Sequence, residues 1–383
     1  MRDRLVTQCP TRLVVAGMLA GDPHQGGAIW ATLQWVLGLR DLGHAVTVVD
    51  ELPDGAAITP AVTASLRATA TAFDLCGSAA VFTEPVSDVI GMSSAALRHT
   101  LARADVLVNL SGRLRSLDLV GATPIRVFVD LDPGFVQLWH AEGHDLGLQH
   151  HSHAATVGQA IGTPTCDLPT LGVDWIHVMP PVVLAHWPCV PLPSHSTPRL
   201  TTTANWRSYG NVTWRGVSLG QKAHSTRTLA ALPARSALPL EIALQIHPGD
   251  GADRAALDRA GWLLVDPLAM AGTPQRYHSY ITASSGEIGI AKHGYVCART
   301  GWVSDRSAAY AASGRPLVLQ DTGDHGLHDR PGVLTFCDVD SAVEAVQRLR
   351  ADHRRHATGA RDVAEECFDS RRVLGGLLER VAE

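Results

Sequence analysis

The sequence predicts an α/β protein built as two doubly wound halves. Three observations carry this. Short apolar runs alternate with amphipathic helical stretches from residue 13 onward. Six prolines (Pro180, Pro181, Pro188, Pro191, Pro193 and Pro198) then interrupt the alternation, and it restarts beyond them. Proline fixes φ and ends regular elements, so the linker between the halves belongs there. At 383 residues the chain is long enough to bury two cores.

The elements follow in order. Leu13-Val14-Val15-Ala16 is a short apolar run, as a strand buried on both faces requires. A turn-rich loop, Gly21 to Gly27, comes next. From Ala28 to Leu42 apolar residues recur at helical spacing (Ile29, Leu33, Val36, Leu37, Leu39), and Gly43 stops the helix. Ala45 to Val49 is the second strand. Strand, helix and parallel strand in this short compass make a βαβ unit. Val106 to Val108 and Arg126 to Val129 are later strands of the first half. In the second half Glu241 to Ile246, Glu287 to Ala291 and Pro316 to Leu319 read as strands, and Asp253 to Ala260 and Ser304 to Ala312 as helices. Ser341 to Arg350 and Arg361 to Val381 read as closing helices. Two such halves imply a ligand in the cleft between them.

Composition narrows the function. A net charge of -5 argues against a general affinity for nucleic acid. No apolar run approaches the ~20 residues of a membrane helix. Arg2 and Arg4 precede the apolar stretch Leu13 to Ala20, but that stretch is short and runs into a helix, so a strand is expected rather than a signal peptide. The seven cysteines, Cys9 to Cys367, are odd in number and show no CxxC spacing. That pattern favours a reducing cytoplasm over disulfides or a structural zinc site. Lys222 and Lys292 are the two lysines among thirty arginines, so each can mark a place where arginine would not serve. His144, Asp145, His150, His151 and His153 cluster, yet no Cys or Glu completes a recognised zinc spacing, and no metal is expected.

The segment from Arg299 to Gly323 has the clearest chemical logic. Gly301 permits a close backbone approach. Ser304 can cap the helix that follows, whose free N–H groups and dipole attract an anion such as a diphosphate. Arg306 and Ser307 lie in the first turn and can add donors. The next strand delivers Asp321, Thr322 and Gly323 to its C-terminal end, where open α/β sheets place ligands.

This run, Gly301-Trp302-Val303-Ser304-Asp305-Arg306-Ser307-Ala308 with Ala312-Ser313-Gly314-Arg315-Pro316 and Gln320-Asp321-Thr322-Gly323, resembles the nucleotide-sugar-binding half of bacterial GT-B glycosyltransferases. Asp130 to Gly134, Val157 to Gly162, Asn205 to Gly210 and Ile246 to Pro248 extend the resemblance over most of the chain, toward a natural-product-type group. It implies two Rossmann-like domains facing a cleft. Residues 1–190 would bind the acceptor and 199–360 the nucleotide sugar, with a helix in 361–383 crossing back to the first domain.

Position by position, the resemblance implies that Gly301, Ser304, Arg306 and Ser307 hold the diphosphate. Asp321, Thr322 and Gly323 would meet the donor sugar, although the usual Asp-Gln or Glu-Gln pair is Asp321-Thr322 here. Arg207, Lys222 and Lys292 are further phosphate candidates, and Trp206 and Tyr295 candidates for stacking. The glutamate that many retaining members carry before the Ala-Ser-Gly turn is absent, which favours inversion. Inversion needs a general base. His24, in the loop after the first strand, is the first candidate, with Asp22 to orient its ring. Asp132 is the rival. The expected partners are a nucleotide-sugar donor and a small-molecule acceptor, with no nucleic acid and no membrane span, and a homodimer is allowed. No cofactor is expected. The competing readings are a sugar-nucleotide epimerase of the same fold and a non-catalytic sugar-nucleotide-binding subunit.

Overall fold

The structure, a computed structural model, describes residues 10–84, 86, 88–192, 197–328 and 330–383. Arg2, Arg4, Cys9 and Pro193 lie outside them. No helix among the described residues is long and apolar enough to cross a membrane.

The first sheet comprises β1 (Arg12–Ala16), β2 (Ala45–Glu51), β3 (Ala79–Phe82), β4 (Val89–Ile90), β5 (Val106–Leu110), β6 (Ile125–Asp130), β7 (His153–Thr156) and β8 (Trp175–His177). Their order is β4-β3-β2-β1-β5-β6-β7-β8, parallel throughout except β4. The second half begins with β9 (Leu200–Asn205). A small antiparallel hairpin of β10 (Val212–Trp214) and β11 (Val217–Leu219) follows it. The second sheet is completed by β12 (Leu240–Gln245), β13 (Leu263–Val265), β14 (Gly286–Gly289), β15 (Leu317–Gln320) and β16 (Val333–Phe336). Its order is β13-β12-β9-β14-β15-β16, all parallel.

Both sheets reverse direction beside their first strand, at β1/β5 and at β9/β14. In a parallel sheet this switch point opens a crevice beyond the C-terminal strand ends. The predicted strands are the buried apolar runs, because helices cover both sheet faces. Strands β3, β7 and β8 are among those that were not read from the sequence, as are β4, β10, β11, β13 and β16; the first three illustrate why. They are three or four residues long, and β3 and β7 are rich in Ala, which leaves little periodic signal.

The first part of the proline-rich connection, as far as Trp187, is packed against the rest of the chain. Val182 N–H donates to Phe368 C=O (2.7 Å), Ser370 N–H donates to Val182 C=O (2.9 Å), and Trp187 is fully buried. This pairing corrects the expectation of one helix over Arg361 to Val381. The His353–Val363 helix passes through a π-turn at Ala364–Phe368, breaks at Asp369, and resumes as Ser370–Ala382. Asp369 leaves helical geometry (ψ 119°) and its carboxylate accepts the Arg371 N–H, capping the new helix. That last helix lies on the Gly26–Asp41 helix of the first half. Gly38 permits the approach: a Cβ there would stand 2.6 Å from the Ser370 Cβ.

Candidate functional site

A cleft of about 390 Å³ runs between the two sheets at their C-terminal strand ends. The loop after β1 brings His24, and that after β6 brings Asp132. The loop after β14 brings Lys292, and the short Lys222–Thr228 helix brings Lys222. Ser304 and Arg306 also line it. With Tyr295, seven candidate residues from distant parts of the sequence therefore share one cavity.

The two longest helices that start at this cleft differ at their N-termini. The Asp305–Ala312 helix carries a side-chain cap: the Ser304 hydroxyl accepts the Arg306 N–H at 3.2 Å, which occupies one of its free N–H groups. Asp305 opens toward the cleft at that end, and the surrounding protein raises its carboxyl above the usual carboxylate range by desolvation. Arg306 is buried. Its Nε donates to Glu287 (2.6 Å) and its NH1 to the Thr203 carbonyl (3.0 Å). The expected diphosphate ligand is thus tied to an internal carboxylate. Ser307 faces a separate cavity of about 10 Å³ beneath the helix, room for a single water.

The other helix, Gly26–Asp41, has no side-chain cap; Gln25 makes no such hydrogen bond. Its first residues, Gly26, Gly27 and Ala28, line the cleft. An uncapped helix start offers free N–H donors and the positive dipole end to an anion. The Gly26-Gly27 pair was the signal in the sequence, and it reads equally well as a helix-breaking turn.

The remaining donor-side expectations need correction. Thr322 is buried, and its hydroxyl donates to the Trp302 carbonyl (2.8 Å). Asp321 accepts the Gly323 N–H (2.9 Å) and sits near Arg299; neither it nor Gly323 lines the cleft. Asp321, His325 and His328 instead place one ligand-type atom each within 4.8 Å of one another, a grouping the sequence reading did not pick out. Gly301 (φ +68°) serves backbone contact between the halves. A Cβ there would stand 2.4 Å from the Asp324 carbonyl and 2.7 Å from Ala160 N. Arg207 is half exposed, pairs with Asp250 at 2.7 Å and lies outside the cleft. Trp206 is a core residue.

Lys222 is different. It lines the cleft, is 9% exposed, and its ammonium has no hydrogen-bond or ion-pair partner among the described residues. Burial, then the charges of Arg306 and Lys292, hold it well below the ordinary lysine range. An anion bound there would restore its charge.

On the base side, His24 is exposed to the cleft. Asp22 accepts the His24 backbone N–H (3.3 Å) rather than a ring nitrogen, so it shapes the turn and does not orient the imidazole. Asp132 is gripped by Lys292 (2.8 Å), Tyr209 and Tyr295. Three donors from the second half therefore already occupy this carboxylate. Of the histidine cluster, His151 contacts the Gly147 carbonyl (2.8 Å) and the Asn109 amide (3.1 Å), and His153 the Ser152 hydroxyl (2.9 Å).

Asp130 is fully buried. It accepts from Asp132 N–H (2.8 Å), Gln137 Nε2 (2.9 Å) and Thr156 Oγ1 (2.8 Å), which fixes the turn that carries Asp132. Burial nonetheless pushes its carboxyl up to about 6 from 3.8. The native state therefore holds this proton more tightly than the unfolded chain. Its contribution to stability is full below about pH 4 and is lost as pH rises through about 6, by up to about 3 kcal/mol. Urea unfolding at pH 4 and pH 7 checks this: wild type should lose stability relative to Asp130→Asn over that interval. A difference independent of pH would overturn it.

No protein-family model matches this sequence, and no curated protein matches it. Solved structures do match over their full length. HepE of Anabaena, solved with UDP and glucose, aligns at TM-score 0.57 and 12% identity over 97% of this chain and 99% of its own. An α-glucosyltransferase in complex with UDP and a 13-mer DNA containing an HMU base aligns at TM-score 0.62 and 11% identity, over 98% and 100%. An α-glucosyltransferase in complex with UDP and a 13-mer DNA containing a central A:G mismatch aligns at TM-score 0.60 and 13% identity, over 97% and 100%. At such identities the likeness establishes the fold: two Rossmann-like domains in the GT-B arrangement. It also corrects one expectation. Nucleic acid is not excluded as a partner, because structures of this fold hold DNA. Net charge is an average over the whole surface and says little about one cleft.

Proposed function

We propose that the chain is a glycosyltransferase, of hexosyltransferase type, using a nucleotide diphosphate sugar. The observation that carries this reading is the unpartnered Lys222 in a cleft that also presents the uncapped Gly26–Asp41 helix start and His24. In this reading the diphosphate lies against Lys222 and the N–H groups of Gly26 to Ala28. An acceptor hydroxyl attacks the anomeric carbon while the bond from that carbon to the diphosphate oxygen breaks. His24 takes the hydroxyl proton, and the configuration inverts. The lysine and the helix dipole neutralise the departing diphosphate, so no metal ion is required.

Thermal unfolding with UDP-glucose and other nucleotide sugars tests the reading. A ligand of the native state raises the midpoint with its concentration. Lys222→Met should weaken binding roughly ten- to hundredfold, the worth of a charge-assisted hydrogen bond, and turnover should be unchanged in excess EDTA. No midpoint shift with any nucleotide sugar would sink the donor reading. Unchanged affinity in Lys222→Met would remove Lys222 from it. Nucleotide release that depends on an acceptor separates transfer from epimerisation.

A further inference from the structure

The two lysines of the cleft are in opposite conditions. Lys222 is unpartnered, whereas Lys292 is fully engaged. The Lys292 Nζ lies 2.8 and 2.9 Å from the two Asp132 carboxylate oxygens and 2.5 Å from the Tyr209 hydroxyl. An ammonium has three N–H donors, and these three oxygens occupy them. Aromatic faces enclose the same nitrogen: the Tyr209 ring at 4.2 Å, and the Phe135 and Tyr295 rings at 5.4 Å.

The bond crosses the cleft. Asp132 follows β6 of the first domain, while Lys292, Tyr209 and Tyr295 belong to the second. Asp132 also accepts O–H bonds from Tyr209 and Tyr295. Burial and the Asp132 charge hold both phenols well above the ordinary tyrosine range, so they remain donors. Asp132 would keep two partners if Lys292 left. Lys292, by contrast, has no donor for a phosphate while it stays.

On the donor reading above, we propose that Asp132 is a positioning residue that lowers affinity for the nucleoside diphosphate by holding Lys292. Lys292 reaches the phosphates only when its bond to Asp132 breaks. Donor binding is thereby coupled to the loss of one bond between the domains.

The sign of one measurement separates this from a purely structural tie. UDP is titrated calorimetrically into wild type, Asp132→Asn, Lys292→Met and the double variant. Asp132→Asn should bind UDP roughly tenfold more tightly, the low end for freeing one partner of a close ion pair. Adding Lys292→Met should abolish that gain. Tyr209→Phe, which removes one of the three oxygens, should show a smaller gain in the same direction. Unchanged or weaker binding in both Asp132→Asn and Tyr209→Phe would overturn the proposal while leaving the donor reading intact. A gain that persists without Lys292 would also overturn it, since it would reflect only the removed negative charge. Failure of the wild type to bind UDP would overturn the donor reading, and this proposal with it.

Discussion

His24→Ala is expected to lower turnover by roughly 10²–10⁴-fold, the usual contribution of a positioned general base. Affinity for UDP should barely change. His24 precedes the Gly26–Asp41 helix, but the groups assigned to the diphosphate are the Lys222 ammonium and backbone N–H groups, which the substitution leaves in place. The fall of the rate on acidification, which protonation of a base produces, should disappear in the variant. Asp22→Asn should have little effect, because Asp22 meets the His24 backbone and not its ring. Asp132→Asn is the comparison. If His24→Ala keeps near-normal turnover while Asp132→Asn abolishes it, the proton goes to Asp132 despite its three donors.

Arg306→Ala is expected to destabilise the chain by about 3–5 kcal/mol, because it leaves the Glu287 carboxylate buried without its cation. Glu287 is fully buried, its Oε1 is held by Arg306 at 2.6 Å, and its Oε2 has no hydrogen-bond partner. Replacing both members by apolar residues, Arg306→Met with Glu287→Leu, should recover most of the loss, as apolar replacement of buried pairs often does. Urea unfolding measures both. If Arg306 were a phosphate ligand instead, Arg306→Ala would keep its unfolding midpoint and lose UDP affinity.

The contrast between Arg306 and Lys222 shows where reading a sequence stops. Arg306 sits in the most motif-like segment of the chain, in the first turn of a capped helix, and spacing alone makes it an anion ligand. What decides its role is Glu287, which precedes it by 19 positions and lies on another element. Lys222 carries almost no motif, yet the fold leaves its ammonium free in the cleft. Rarity among thirty arginines was the one local signal that pointed to it, and the same signal pointed to Lys292, which the fold ties down.

By itself the sequence determined the class of fold, the main strands and helices of both halves, the proline-rich connection between them and the resemblance to GT-B proteins. These rest on periodicity, on turn residues and on short motifs, all of which act within a few residues along the chain. The tertiary structure alone decided strand order, the break at Asp369 and the residues that face the cleft. It also decided which charged groups are neutralised from within. A side chain's availability to a ligand depends on partners far away in sequence, as Asp132 and Lys292 show across 160 positions. Burial makes that pairing decisive, because a charge removed from water must find a partner or lose its charge.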